Sequence, residues 1–150
     1  MCPEDVSKLA IAAGREVLML TRKYLSDHVS FAVETTLSGN GPLETMRQAR
    51  EQGFHVSLVY VCLDTPERNV TRVVERTAKG GHFVPEEDVR RRYVRSLANL
   101  PRAIKLAHTA VLYDNADLSG HLVLEAGEGR IVWLAQNPPA WVKPIVAALS

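Results

Sequence analysis

Apolar and polar positions alternate along this chain with two distinct periods, and the switches between them mark its elements. From Pro3 to about Asp27, Val6, Leu9, Ala13, Val17, Leu20 and Tyr24 recur every three or four positions. That spacing predicts one long amphipathic helix, with Pro3 near its start where a proline is tolerated. "SFAVETT" reads as a short strand, "LSGNGP" as a glycine-rich turn, and the stretch from about Leu43 to Gln52 as a helix stopped by Gly53. "HVSLVYVCL" is almost continuously apolar, the pattern of a strand buried on both faces of a parallel sheet.

"DTPERNVTRVVERTAKGG" predicts the next helix, with Asp64 or Thr65 as its cap, a proline in the first turn and glycines at the end. "VPEEDVRRRYVRSLANL" predicts another, with acidic residues in its first turn and Val89, Tyr93 and Leu97 on one face; Pro101 is expected to bend or interrupt it. "TAVLYDN" reads as a third buried strand. "HLVLEAGEGRIVWLA" reads as a hairpin turning at "GEG", and "PPAWVKPIVAAL" as a short closing helix. Strands separated by crossover helices predict an α/β fold with a mainly parallel sheet, in one domain over residues 1–150.

In such sheets ligands bind at the carboxyl ends of the strands. Two predicted strands end in polar groups there, Glu34, Thr35 and Thr36 on one and Tyr113, Asp114 and Asn115 on the other. The third ends in Asp64, for which helix capping is the simpler role. Arg68, Arg72, Arg76 and Lys79 form a stripe on one helix, and Arg91 and Arg95 pair at i and i+4 on the next. Interleaved Glu67, Glu75, Glu86, Glu87 and Asp88 allow a plain solvated surface. Two arginine-bearing helices joined by Gly80-Gly81 also suit a lid that closes over phosphate, because guanidinium groups grip phosphate oxygens bidentately.

The overall balance narrows this choice. The net charge is +1, so the chain lacks the basic excess of proteins that coat nucleic acid or anionic membrane. "MCPEDVSKLA" lacks a basic segment followed by an apolar one, and no run reaches the roughly 18 apolar residues of a membrane span, which predicts a cytoplasmic protein. Cys2 and Cys62 are too few to suggest a disulfide framework or a zinc site.

"FAVETTLSG", then "GGHFVPEEDVRRRYVRSLANL", then "LYDN" together resemble the zeta-toxin family of P-loop kinases, in order and spacing, from about Val6 to beyond Asn115. The resemblance implies a three-layer αβα kinase fold and a phosphotransferase that uses ATP and Mg2+ on a small hydroxyl compound such as UDP-N-acetylglucosamine. It implies that Glu34, Thr35 and Thr36 face substrate, and that Arg76 with one of Arg90 or Arg91 approaches the transferred phosphate. Asp114 and Asn115 would lie near the nucleotide base, and an antitoxin protein would be a partner; no residue is assigned to metal. One departure stands out: the 150 residues contain no G-x-x-x-x-G-K-[ST] phosphate loop. The expectation is a kinase domain truncated at its N-terminus, without its central strand and inactive alone. A non-catalytic binding module on the same fold, or a domain that fills the gap by self-association, are the alternatives.

Overall fold

The computed structural model describes residues 3–117 and 119–150, with side chains from Ala12 onward; Cys2, and the side chains of Val6 and Leu9 in the first predicted stripe, lie outside the described residues. Helix α1 spans Pro3–Ser26, α2 Gly41–Glu51, α3 Pro66–Ala78, α4 Glu86–Leu106 and α5 Lys143–Leu149, the last entered through a single 3-10 turn, Ala140–Val142. Strands β1 Ser57–Cys62, β2 Thr109–Asp114, β3 His121–Gly127 and β4 Arg130–Leu134 form one sheet in the order β1-β2-β3-β4.

The fold is mixed α/β. The chain leaves β1, crosses through α3 and α4, and returns as β2 parallel to it, pairing Ser57 with Thr109 through Cys62 with Asp114. The other two pairs are antiparallel, which corrects the mainly parallel sheet expected from the sequence. The reason lies in the connections: parallel pairs need long crossovers, whereas β3 and β4 are joined by two residues. Glu128 (φ 49°) and Gly129 (φ 74°) both sit in the left-handed region that a tight hairpin turn demands, at the "GEG" turn read from the sequence.

"SFAVETT" is not a strand. No strand hydrogen bonds are formed by residues 29–36, so the sheet edge at β1 lacks the neighbour that the sequence pattern called for. Aromatic contacts hold the segment against the helices instead: Phe31 stacks on Tyr24 at 5.8 Å and meets Phe54 edge-on at 6.2 Å. α4 also departs from expectation, because it runs through Pro101 without a break. Leu100, Ala103 and Ile104 around that proline are fully buried, and their packing offsets the one backbone hydrogen bond that proline cannot make.

The core lies on one face of the sheet. Ala110 and Leu112 of β2 and Leu124 and Ala126 of β3 pack against Leu100, Ala103 and Ile104 of α4 and against Trp141, Val142 and Ile145. The opposite face leaves Val59, Val61, Val132 and Trp133 exposed, so sheet and helices make two layers among the described residues where the sequence led to three. Gly53 (φ 83°) and Gly80 (φ 88°) end α2 and α3 as the sequence suggested. In each case the glycine and the residue after it donate back into the last turn, Gly53 to Arg50 and Phe54 to Ala49, Gly80 to Thr77 and Gly81 to Arg76.

Candidate functional site

Where β1 gives way to α3, the chain leaves a cleft of about 470 Å3. One wall is β1 itself, from Val59 to Leu63. The second is Glu34, Thr35 and Thr36; the third is formed by Asn69, Val73 and Arg76 of α3, and the fourth by Val89, Arg92, Tyr93 and Ser96 of α4. Four sequence stretches thus converge on one concavity.

Each wall has a sequence-level cause. Thr36 precedes Leu37, whose side chain is buried and whose backbone takes a positive φ of 56°, an unfavourable conformation for a residue with a branched side chain. Leu37 is held there from both sides. Its N–H donates to Thr35 Oγ1 at 3.1 Å, and its carbonyl accepts from Asn99 Nδ2 at 2.9 Å. The turn at Leu37 fixes the direction of the "ETT" segment, with Thr36 Oγ1 and Ser38 Oγ sharing a hydrogen bond at 2.9 Å.

The floor is tied down by phenols. Tyr60 shares a hydrogen bond with Ser96 Oγ at 2.9 Å, and the Tyr93 hydroxyl donates to the carbonyls of Leu63 and Asp64 at 3.1 and 3.2 Å. Burial pushes both phenols well above the usual tyrosine range, so they stay protonated as donors. The same burial pushes the Cys62 thiol up to about 11, which keeps it protonated at neutral pH and a poor nucleophile.

The arginines divide into two groups. Arg68 pairs with Asp64 at 2.9 Å, Arg90 with both Glu67 and Glu86, and Arg91 with Asp88 at 2.7 Å. Arg72 donates to the carbonyl of Asn115 at 2.6 Å. Arg76 and Arg92 form no ion pair among the described residues, and both line the cleft. Arg76 makes one long contact, to the carbonyl of His82 at 3.3 Å. Its stem is also fixed, because Gly81 lies against it so closely that an added Cβ would sit 2.6 Å from Arg76 Cγ and 2.8 Å from its carbonyl oxygen. The Gly-Gly turn therefore seats Arg76.

Of the residues singled out from the sequence, the structure brings Glu34, Thr35, Thr36 and Arg76 to one cleft. It does not bring Arg90 or Arg91 there; the neighbouring Arg92 occupies that wall. Asp114 and Asn115 stand at the carboxyl end of β2 and serve the fold. Trp141 Nε1 donates to Asp114 Oδ1 at 3.1 Å, and the Asn115 N–H donates to the carbonyl of Cys62 at 2.8 Å. Arg92, Tyr60 and Ser96 are the lining residues that sequence reasoning missed. Arg92 had a legible signal: it lies at i+3 from Val89 and i−4 from Ser96, the helix face that carries Tyr93.

The cleft suits an anion with a polar body. Two guanidinium groups free of carboxylate partners can bind phosphate oxygens, while Glu34 and the two threonines offer acceptors and donors for hydroxyls. Among the described residues no cluster of three or more His, Cys, Asp or Glu is placed to hold a metal ion, and no helix is long and apolar enough to cross a membrane.

Comparison with known proteins adds one relative. The chain is similar to an uncharacterized protein of Haemophilus influenzae, 37% identical over 91 residues, a match covering 61% of this chain and 65% of that protein. No family model matches the chain. No solved structure matches it either.

Proposed function

We propose that this chain supplies the acceptor-binding wall and arginine lid of a zeta-toxin-like phosphotransferase, and that its cleft takes a phosphorylated sugar such as UDP-N-acetylglucosamine. The observation that carries the reading is the shared cleft: the "ETT" residues, Arg76 and Arg92 line one concavity beside β1. Arg76 and Arg92 bind the phosphates of the sugar nucleotide, and Glu34 and Thr36 hydrogen-bond its hydroxyl groups. Bound Mg2+-ATP would supply the phosphoryl group in such an enzyme. The residues here fit the phosphorylated acceptor, but they do not make an ATP site, since no G-x-x-x-x-G-K-[ST] loop lies among the 150 residues to cradle its phosphates. The chain by itself therefore binds without turning over ATP.

Titrating the 150-residue chain with UDP-N-acetylglucosamine, with UDP and with N-acetylglucosamine, followed by amide NMR, tests this. Shifts centred on residues 34–36, 76 and 92 are expected for the two nucleotides. Arg76→Lys, which keeps the charge and loses the planar fork, should weaken binding about tenfold, and Arg102→Lys, outside the cleft, should leave it unchanged. Indifference to Arg76→Lys, or no nucleotide binding at millimolar concentration, would remove the proposal.

A further inference from the structure

Among the described residues two apolar surfaces have no cover. The first is the open face of the sheet. The registers align Val59, Val111, Glu125 and Trp133 in one row across all four strands, and Val61, Tyr113 and Leu122 in a second row. Val59 and Trp133 are 66% and 43% exposed. A contiguous apolar face on this scale marks a contact surface. Within it Glu125 is the single charged group of the two rows, and it makes no ion pair among the described residues.

The second surface is on α1. The stripe that buries Thr21 and Leu25 against the body continues one and two turns earlier as Val17 and Leu18, which are 49% and 52% exposed, with Leu20 and Met19 exposed beside them. Residues 12–20 are all exposed, so the helix stands away from the body along an apolar stripe. Helices of this kind gain most of their stability from packing such a stripe. Arg15 and Arg22 flank Leu18 at i−3 and i+4, both exposed and without an ion pair among the described residues.

We infer that two copies of this chain associate reciprocally, α1 of each lying across the open sheet face of the other, with Leu18 against the Val59 to Trp133 row and Arg15 or Arg22 reaching Glu125. Near Leu18 the helix carries Arg15, Glu16 and Arg22, a net positive charge, and the two apolar rows carry Glu125 alone, with Arg130 one row further out. The size is adequate. The stretch of α1 that stands clear, residues 12–20, is ~14 Å long, which matches the ~14 Å width of a four-stranded sheet. Reciprocity closes the assembly as a two-fold dimer and prevents a chain of copies. The inference does not rest on the proposed function, although the two surfaces meet at β1: Val59 and Val61 belong both to the open face and to the cleft wall, whereas Arg15, Leu18, Arg22, Glu125 and Trp133 do not line the cleft.

Sedimentation velocity and light scattering on the full chain from about 1 to 100 μM test it, with circular dichroism and melting temperature as checks on folding. A dimer is expected. Leu18→Asp, at an exposed helix position that should not affect folding of the monomer, should give a monomer across the range. Glu125→Arg should weaken dimerisation about tenfold, and combining it with Arg15→Glu and Arg22→Glu should restore it. In a Cys2→Ser background, mixing a Leu18→Cys chain with a Val59→Cys chain should give a disulfide between chains. A wild-type monomer at every concentration, a dimer indifferent to Leu18→Asp and to the charge swap, or a Leu18→Cys/Val59→Cys chain that closes its disulfide within one monomer would each overturn the inference.

Discussion

The two sides of α4 are built on opposite principles. Toward the sheet, Leu100, Ala103 and Ile104 are fully buried against β2, β3 and the Trp141 turn. Toward α3 the packing is shallow: α3 buries no residue fully, Val70 and Val73 are half-buried, and Arg90 of α4 reaches Glu67 of α3 through solvent-facing side chains. Exposed ion pairs contribute little to stability, whereas a buried aliphatic side chain contributes a few kcal/mol. One side of the helix therefore fixes the fold, and the other carries an arm that local fluctuations can open without unfolding the rest. The cleft lies between that arm and α4, with Arg76 on the arm and Arg92 on the packed helix.

The largest effect that sharpens this contrast is in the core. Leu112, at the centre of the sheet and fully buried, should cost about 2–5 kcal/mol when replaced by alanine, because the pocket it leaves has little room to collapse. Val73→Ala on α3, at a half-buried position, should cost about 1 kcal/mol or less. Urea denaturation of both variants measures the difference. Equal losses would mean that α3 is as much part of the cooperative core as β2.

Next in size is Gly81→Ala. The added methyl group meets the Arg76 carbonyl oxygen at 2.8 Å and Arg76 Cγ at 2.6 Å, so the Gly80-Gly81 turn must move, at a local cost of about 1–3 kcal/mol. Because the arm is only loosely coupled to the core, the loss should appear mainly as faster hydrogen exchange at residues 77–81, with a small change in the global midpoint. Weaker binding of UDP should accompany it, since Arg76 loses its seat. Unchanged exchange at the turn would show that the close approach is relieved at no cost.

Third, Tyr60→Phe tests the tie between β1 and α4 under the cleft floor. Removing the hydroxyl breaks the bond to Ser96 and leaves that buried serine without a partner, at about 1 kcal/mol. The global midpoint should drop accordingly, and Ser96→Ala on top of it should recover part of the loss.

The same contrast explains what could be read from sequence. Most elements followed from periodicity: helix stops at Gly53 and Gly80, the hairpin at Glu128-Gly129, and buried β2 were all visible because each is dictated by residues within a few positions. The mixed sheet was not, since a local pattern reports that a strand is buried and not which neighbour it takes. "SFAVETT" failed for a related reason. Its alternation suits a strand, but a strand exists only where a partner edge meets it, and Phe31 is drawn to Tyr24 and Phe54 instead. At the site, Glu34 to Thr36 and Arg76 were legible from residue type and the family resemblance. The resemblance points to Arg90 or Arg91 and is silent on Arg92, because sequence alone does not reveal which arginines nearby carboxylates engage.

The smallest expected effect comes from an exposed ion pair on α2. Arg47 grips Glu44 through two bonds, at 2.6 and 2.9 Å, and Gln48 donates to the same carboxylate at 2.7 Å. Chiefly through the Arg47 bonds and then that of Gln48, the Glu44 carboxyl is held down to about 2 from its ordinary 4.5. A carboxyl whose folded value is depressed stabilises the fold fully above its unfolded value, and that contribution is lost as the pH falls toward the folded value. Wild type should therefore exceed Glu44→Gln in melting temperature above about pH 5, and the gap should close between roughly pH 4.5 and 2. Both groups are exposed, so the gap should be small and should shrink in 1 M salt. Cleft arginines should behave in the opposite way, because among the described residues Arg76 and Arg92 have no carboxylate partner. Added phosphate or UDP should raise the melting temperature of wild type and leave that of an Arg76→Ala/Arg92→Ala chain unmoved, and an equal rise in both would place the anion somewhere other than the cleft.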